Sequence, residues 1–327
     1  MPMTAPRKIA LLTTGGTIAM TNQGRGADVS ISGQALGARI GGAIDVEVTE
    51  VFAKPSPNMS LADMALLAQT ALAKSRDVDG VIIAHGTDTL EETACCLDLL
   101  LRTDTPIVLT GAMRTFGAEG ADGAANLRAA CRVAASPSAR GLGVLAVLAD
   151  EIHAAMLVRK AHTSSLNAFT SQPFGPLGSV VEDRVHLLLR PARRSPELRW
   201  GGAGSHVPIV HVYSGFEAGA LARYASDEVD ALVLSLPGGG HVPADLVEAL
   251  EAVATSKPVV FAARTQGGET LNRTYGYVGG EMDLIARGLI PAGTLDALKA
   301  RIAIALLVSS GADRRAVAAF FDHFRGV

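Results

Sequence analysis

Hydroxyls, one carboxylate and one lysine recur just where apolar runs end, and these are the side chains with chemistry to offer. Thr13, Thr14 and Thr17 surround Gly15 and Gly16 in TTGGT. Ser56 and Asn58 lie in PSPNMS; His85, Gly86, Thr87, Asp88 and Thr89 lie in HGTDT; Lys160 lies in LVRKAHTSS. A threonine hydroxyl is a poor nucleophile until a base or a neighbouring cation helps remove its proton. Thr87 is followed at once by a carboxylate, so a grouping of Thr87, Asp88 and Lys160 is geometrically possible. A lysine acts as base only when neutral, which burial or a second cation would have to bring about. Asp88 can orient that lysine or bind a substrate ammonium group. The glycines after Thr14 let the backbone approach a ligand, and N–H groups there suit a developing oxyanion.

Plainer readings compete with each of these. Thr89 with Glu92 three residues on fits a helix N-cap and nothing more. TTGG fits a strand-to-helix turn, or a phosphate cradle that lacks both the Lys-Ser/Thr of a P-loop and a GxGxxG. His85 and His162 have no His or Cys at ligand spacing, so no metal site is expected. Cys95 and Cys96 sit mid-helix among Leu and Ala and read as core. GGGH at 238–241 reads as the loop after ALVLSLP.

The elements that must position these residues alternate. KIALLTT, DVEVTEVF, GVIIAHG, PIVLTGA and GVLAVLAD read as strands. Helices are expected in SLADMALLAQTALAKS, opened by a Ser60–Asp63 capping box, in TLEETACCLDLLLR and in ADGAANLRAACRVAA. Short continuous apolar strands between helices imply a parallel sheet covered on both faces. In such sheets ligands bind beyond the carboxyl ends of the strands, which is where the hydroxyls, Asp88 and Lys160 fall. From about residue 185 the pattern loosens through RPARRSPELRWGGAGSH, then resumes with VPIVHVY, GALARYA, ALVLSLP, ADLVEALEAVATS, PVVFAAR and two helices from about 294 to 324. The fold class is α/β: a larger, mostly parallel N-terminal domain over 1–192, a linker over 193–206 and a smaller C-terminal α/β domain over 207–327.

Composition supports a large core and excludes several functions. The chain has 327 residues, 48% of them apolar but only 4% aromatic, so packing rests on Ala, Val, Leu and Ile. A net charge of −3 offers no footprint for nucleic acid or an anionic membrane. No apolar run reaches the length of a membrane span, and MPMTAPRKIALL enters a strand without a signal-peptide core. Three cysteines make neither a disulfide framework nor a metal spacing, which suits a reducing compartment and a cytoplasmic protein.

Together, TTGGTIAM, HGTDTLEETA, VLTGAMR and the lysine of LVRKAHTSS closely resemble the bacterial L-asparaginase family, in order and over nearly the whole chain, including GTLDALKARIAIAL. The resemblance implies hydrolysis of the side-chain amide of L-asparagine, and in some members glutamine, through a threonine acyl-enzyme with no metal or organic cofactor. It also implies a homo-oligomer, a dimer or a tetramer of close dimers, with sites between subunits. Thr14 matches the family's nucleophile; Thr87, Asp88 and Lys160 match its second catalytic group. Ser56 and Gly86 match substrate-binding positions, and Asp88 would also meet the substrate's α-ammonium. Glu281 aligns with a glutamate supplied by the partner subunit, and the segment from about 18 to 36 with a lid.

Three departures stand out. The first tyrosine of the chain is Tyr213, so the lid carries none; Tyr275, near Glu281, is the candidate to replace it. A glutamine that often follows the substrate serine is Pro57 here, and an asparagine lent by the C-terminal domain falls at Pro243. Asparaginase–glutaminase activity, or action on a related small amide, is therefore the alternative within the class. A tRNA-amidation subunit is disfavoured, since the chain has no basic face. A non-catalytic sensor of asparagine or aspartate would not need both threonines, Asp88 and Lys160.

Overall fold

A strand covered on both faces needs successive apolar side chains, and the first strand has them from Ile9 to Leu12. The computed structural model describes residues 7–22, 24, 26–40, 44–192 and 194–326. Arg7–Thr13 forms β1, buried without interruption from Ile9 to Thr13. The chain divides into two compact units, Met1–Arg194 and Ser195–Val327.

In the first unit, a short hairpin, β2 (Met20–Asn22) and β3 (Ala27–Val29), and a one-turn helix, α1 (Gly33–Gly37), follow β1. Then come β4 (Ile44–Glu50), α2 (Leu61–Lys74), β5 (Gly80–Ala84), α3 (Leu90–Leu100), β6 (Ile107–Thr110), α4 (Gly123–Ala134) and β7 (Val144–Leu148). β4, β1, β5, β6 and β7 lie side by side and run parallel. Ile9, Leu11, Ile82, Ala84, Val108, Leu145 and Val147 form one core with Leu127, Ala130 and Cys131 of α4. The alternate residues Leu12, Val81, Ile83 and Leu109 are equally buried, as a second covering layer requires. α3 packs against β6 and β7 and against α2. Nine of its eleven residues are buried, so α3 is a core helix, and Cys95 and Cys96 are core residues. α2 starts on the expected capping box: Ser60 Oγ accepts from Asp63 N, and Asp63 Oδ2 accepts from Ser60 N.

The sheet departs from the expected loop after GVLAVLAD. The chain reverses through Ala149 and Asp150, both with positive φ (48° and 61°), and returns as β8 (Glu151–Ala154) antiparallel to β7. This two-residue hairpin lacks the Asn-Gly or Asp-Gly signature of such turns. Its left-handed Ala149 is held by an N–H bond to Asn126 Oδ1 at 3.0 Å. Next come β9 (Arg159–Lys160), β10 (Phe169–Thr170), β11 (Gly178–Val181) and β12 (Arg184–Leu187). The large sheet has the order β12-β11-β8-β7-β6-β5-β1-β4, while β9 and β10 form a separate antiparallel pair.

The second unit is a smaller parallel sheet in the order β13-β14-β15-β16: β13 (Ile209–His211), β14 (Leu232–Leu236), β15 (Val259–Ala263) and β16 (Ile290–Pro291). Its helices are α5 (Val247–Ser256), α6 (Glu281–Ala286), α7 (Ala297–Ser309) and α8 (Arg314–Asp322). Leu232, Leu234, Leu250 and Phe261 share its core. GALARYA forms a 3-10 helix, Ala218–Ala225. In the stretch read as a linker, Arg193 lies outside the described residues. Residues 195–206 carry no regular structure but are tied down, with Ser205 Oγ donating to Ala305 O at 2.9 Å and His206 N to Asp230 Oδ2 at 2.7 Å. The architecture is mixed α/β, as the alternation of patterns implies.

Two buried histidines make the first unit acid-sensitive. Burial lowers His85 from 6.5 to about 4, opposed by a bond to Gly86 O, and lowers His153, on β8, to about 4. Between these values the unfolded chain binds protons that the folded chain does not, so stability falls as pH falls through this window. The slope is predicted to approach about 2.7 kcal/mol per pH unit for the pair, beginning below pH about 6.5, before carboxylates titrate. Denaturant midpoints between pH 7 and 5 check this; a flat profile contradicts it.

Candidate active site

β1 and β5 are sheet neighbours in a register that pairs Thr13 with Ala84, so the loops leaving their carboxyl ends meet. Thr14 is fixed to the neighbouring strand end: its N–H donates to Ala84 O at 3.1 Å and its Oγ1 to the same carbonyl at 3.2 Å. The chain then turns through Gly15 and Gly16, with φ of 96° and 78°. A Cβ on Gly16 would lie 2.3 Å from Gly86 Cα, and one on Gly15 would lie 2.6 Å from the main chain of Lys54. A Cβ on Gly86 would sit 2.7 Å from the Ser56 side chain. At Gly15 and Gly16 the space that a Cβ would take is filled by main chain. Their missing side chains let three loops pack backbone to backbone, bringing the segments of Thr14, Ser56 and Thr87 together with all three side chains buried.

Lys160 reaches the same place from β9, which pairs with β10 through Lys160 and Phe169. Its Nζ donates to Thr87 Oγ1 at 3.0 Å and to Asp88 Oδ1 at 2.6 Å. Its main-chain N–H donates to Glu91 Oε2 at 3.0 Å. The side chain of Lys160 is largely enclosed, while that of Asp88 is 62% exposed and available to a soluble partner. An open cavity of about 390 Å³ lined by Asp88, Glu91, Lys160, Ala161, His162 and Thr163 gives solvent access to this group.

Several neighbours are structural. Thr89 occupies the N-cap position of α3 but makes no side-chain cap; its hydroxyl donates to Ser56 O at 2.8 Å and ties the serine loop to α3. The capping reading is corrected accordingly. His85 is spent on Gly86 O (2.7 Å) and Thr93 Oγ1 (3.1 Å), and His162 Nδ1 accepts from Ser164 N and Ser165 N. No group of three His, Cys, Asp or Glu able to hold a metal occurs among the described residues. The segment from 18 to 36 is not free throughout: Ile18, Ala19, Gly33 and Leu36 are buried, whereas Asn22, Ala27, Asp28, Ser30, Ser32, Gln34 and Ala35 are exposed. Gln23 and Arg25, within that expected lid, lie outside the described residues.

Glu281 and Tyr275 lie together in the second unit. Glu281 is buried at the start of α6, with Oε1 accepting from Thr274 N (2.7 Å) and Tyr275 N (2.8 Å) and Oε2 meeting His241 Nε2 at 3.2 Å. Burial pushes its carboxyl upward, but those main-chain donors and His241 outweigh it and hold it below the usual range. The Tyr275 ring stacks edge-on against His241 at 4.9 Å. Glu91 is the residue that the sequence reading missed. It lies in the first turn of α3, just after Thr87 and Asp88, and no local pattern ties it to Lys160, 69 residues away.

Residues 8–193 match the family described as Asparaginase, N-terminal, and residues 206–321 match the Glutaminase/Asparaginase C-terminal domain. A Deinococcus radiodurans protein named "Probable L-asparaginase" is 38% identical, over 98% of both chains. A "Glutaminase-asparaginase" of Pseudomonas fluorescens biotype A is 35% identical, covering 74% of this chain and 71% of its own. The crystal structure of "Probable Cytoplasmic L-asparaginase" from Campylobacter jejuni superposes with a TM-score of 0.85 at 28% identity, covering 96% of this chain and 99% of that one.

Gly16→Ala is predicted to lose about 3 kcal/mol or more, combining left-handed strain with overpacking against Gly86. Gly24→Ala, also at positive φ but with nothing within 4 Å, carries the strain alone. Chemical unfolding of the two variants checks this; equal losses would mean that the loop contact contributes nothing.

Proposed function

The chain belongs to the asparaginase family, and from that premise we infer that it hydrolyses the side-chain amide of L-asparagine to L-aspartate and ammonia, with Thr14 as nucleophile. The observation that carries the assignment of roles is the reach of Lys160 Nζ to both Thr87 Oγ1 and Asp88 Oδ1 from 72 residues or more away in sequence. Thr14 Oγ attacks the amide carbon and the hydroxyl proton passes to the leaving nitrogen, so ammonia departs and an aspartyl ester remains on Thr14. Water then attacks the ester; its hydrogen returns to Thr14 Oγ as the ester bond breaks and aspartate is released. Thr87, Lys160 and Asp88 form the hydrogen-bonded group that moves these protons, and the exposed edge of Asp88 meets the substrate's α-ammonium. Ser56 and Gly86 line the substrate. No metal or organic cofactor enters the scheme.

The contact between Lys160 and Thr87 also favours a second reading, in which Thr87 makes the first attack. In substrate range, Pro57 and Pro243 bring no side-chain amide where the family resemblance leads one to expect Gln and Asn, and the Pseudomonas fluorescens relative is named for both amides. Glutaminase activity is therefore the alternative. We assign a homo-oligomer, a dimer or dimer of dimers. The cluster of exposed Tyr275, Tyr277, Val278 and Met282 beside Glu281 supports such an interface. Glu281 and Tyr275 are assigned to the site of a partner subunit. The three buried free thiols fit a cytoplasmic location.

Ammonia release from L-asparagine and L-glutamine, compared among wild type, Thr14→Ala and Thr87→Ala, tests the assignment. Each substitution is predicted to lower kcat by at least about a thousandfold while leaving the fold intact. Full activity in either variant removes that threonine from the mechanism, and no release by the folded wild type contradicts the function. Undiminished turnover in Tyr275→Phe removes Tyr275.

A further inference from the structure

The first turn of α3 carries two carboxylates, Glu91 and Glu92, that the mechanism does not use. Glu91 is buried, and its Oε2 accepts the main-chain N–H of Lys160 at 3.0 Å. This contact spans 69 residues. The Lys160 backbone otherwise rests on a two-residue strand paired with β10. The chain leaving β10 is pinned in turn, with Ser171 Oγ 2.9 Å from His153 Nδ1 and Arg159 Nη2 donating to Gln172 O at 2.8 Å. β10 thus secures one side of the lysine's strand and Glu91 the other.

A lysine side chain is a flexible stem with a point charge at its end. It can satisfy Thr87 and Asp88 together only if its backbone is set with a precision of about 0.5 Å. Thr87 and Asp88 immediately precede α3, and Glu91 lies in its first turn. One short stretch, Thr87 to Glu91, therefore holds both partners of the ammonium group and the anchor of its main chain.

We propose that Glu91 is a positioning residue for Lys160, locking the lysine's backbone to the start of α3, directly after Thr87 and Asp88. The inference rests on the reading of Thr87, Asp88 and Lys160 as the catalytic group. It concerns geometry, not proton transfer, so an uncharged acceptor of the same length must serve.

The test compares Glu91→Ala, Glu91→Gln, Lys160→Met and the double variant Glu91→Ala/Lys160→Met by ammonia release from L-asparagine, with thermal unfolding alongside. Glu91→Ala is predicted to lower kcat by about 10- to 100-fold, the scale of a 1 Å misplacement, with KM changed by less than about threefold. Glu91→Gln, whose amide oxygen still accepts the N–H, is predicted to recover most of kcat. The double variant should lose no more than Lys160→Met alone. Where Glu91→Ala does not fold, Glu91→Asp keeps the charge, withdraws the acceptor by one methylene and should show the same kcat loss. Full kcat in the Ala or Asp variant, a Gln variant as impaired as Ala, or multiplying losses in the double variant would overturn the inference while the catalytic group stands. Full turnover in Lys160→Met would instead bring down that group, and the role of Glu91 with it.

Discussion

A Cβ on Gly16 would collide with Gly86 and one on Gly86 with Ser56, and the arrangement of the site depends on that close packing. It is possible because β1 and β5 are adjacent and parallel, so their loops leave the same edge of the sheet side by side. The sheet supplies the direction, through strands buried on both faces. The glycines supply the distance. Thr14 is thereby held against the end of β5 and Thr87 begins its turn beside it, with Ser56 packed against Gly86 from a third loop. A side chain at either glycine would separate the loops and so displace the hydroxyls, although it touches none of the reacting groups.

The second organiser is the opening of α3. Thr87 and Asp88 precede the helix, Thr89 fastens the serine loop and Glu91 fastens Lys160. Buried hydroxyls and charges are stabilising only when partnered, and here each bond that meets this need also fixes a functional segment. The site is correspondingly asymmetric. Thr14, Ser56 and Thr87 are enclosed, whereas Asp88 is open to solvent. In the proposed reaction a small substrate places its charged end against Asp88 while its amide reaches the enclosed threonines.

Much of this was legible in the sequence because it is carried by local pattern. The apolar runs around Leu11, Ile82 and Leu145 announce buried parallel strands, and Ser60 with Asp63 announces the start of α2. The hydroxyl-bearing loops could be located because strand ends are where α/β sheets present ligands. What escaped depends on contacts distant in sequence or on atypical turns. Ala149-Asp150 carries no hairpin signature, so β8 was read as loop. The hydroxyl of Thr89 caps nothing and donates instead to the carbonyl of Ser56, 33 residues earlier, a contact that no local pattern announces. The closeness of Gly15 to Lys54 and of Gly16 to Gly86 likewise has no local signal. Glu91 was hidden among helix-start acids, since no local rule connects it with Lys160.

The central claim is that an aspartyl ester forms on Thr14 and is cleared with the help of Thr87, Lys160 and Asp88. The most direct measurement is peptide mass spectrometry of enzyme quenched in acid during turnover of L-asparagine, in wild type and in Lys160→Met. The account predicts an aspartyl adduct on the peptide containing Thr14. An adduct on the peptide containing Thr87, or rapid turnover with no adduct on either threonine, would contradict it.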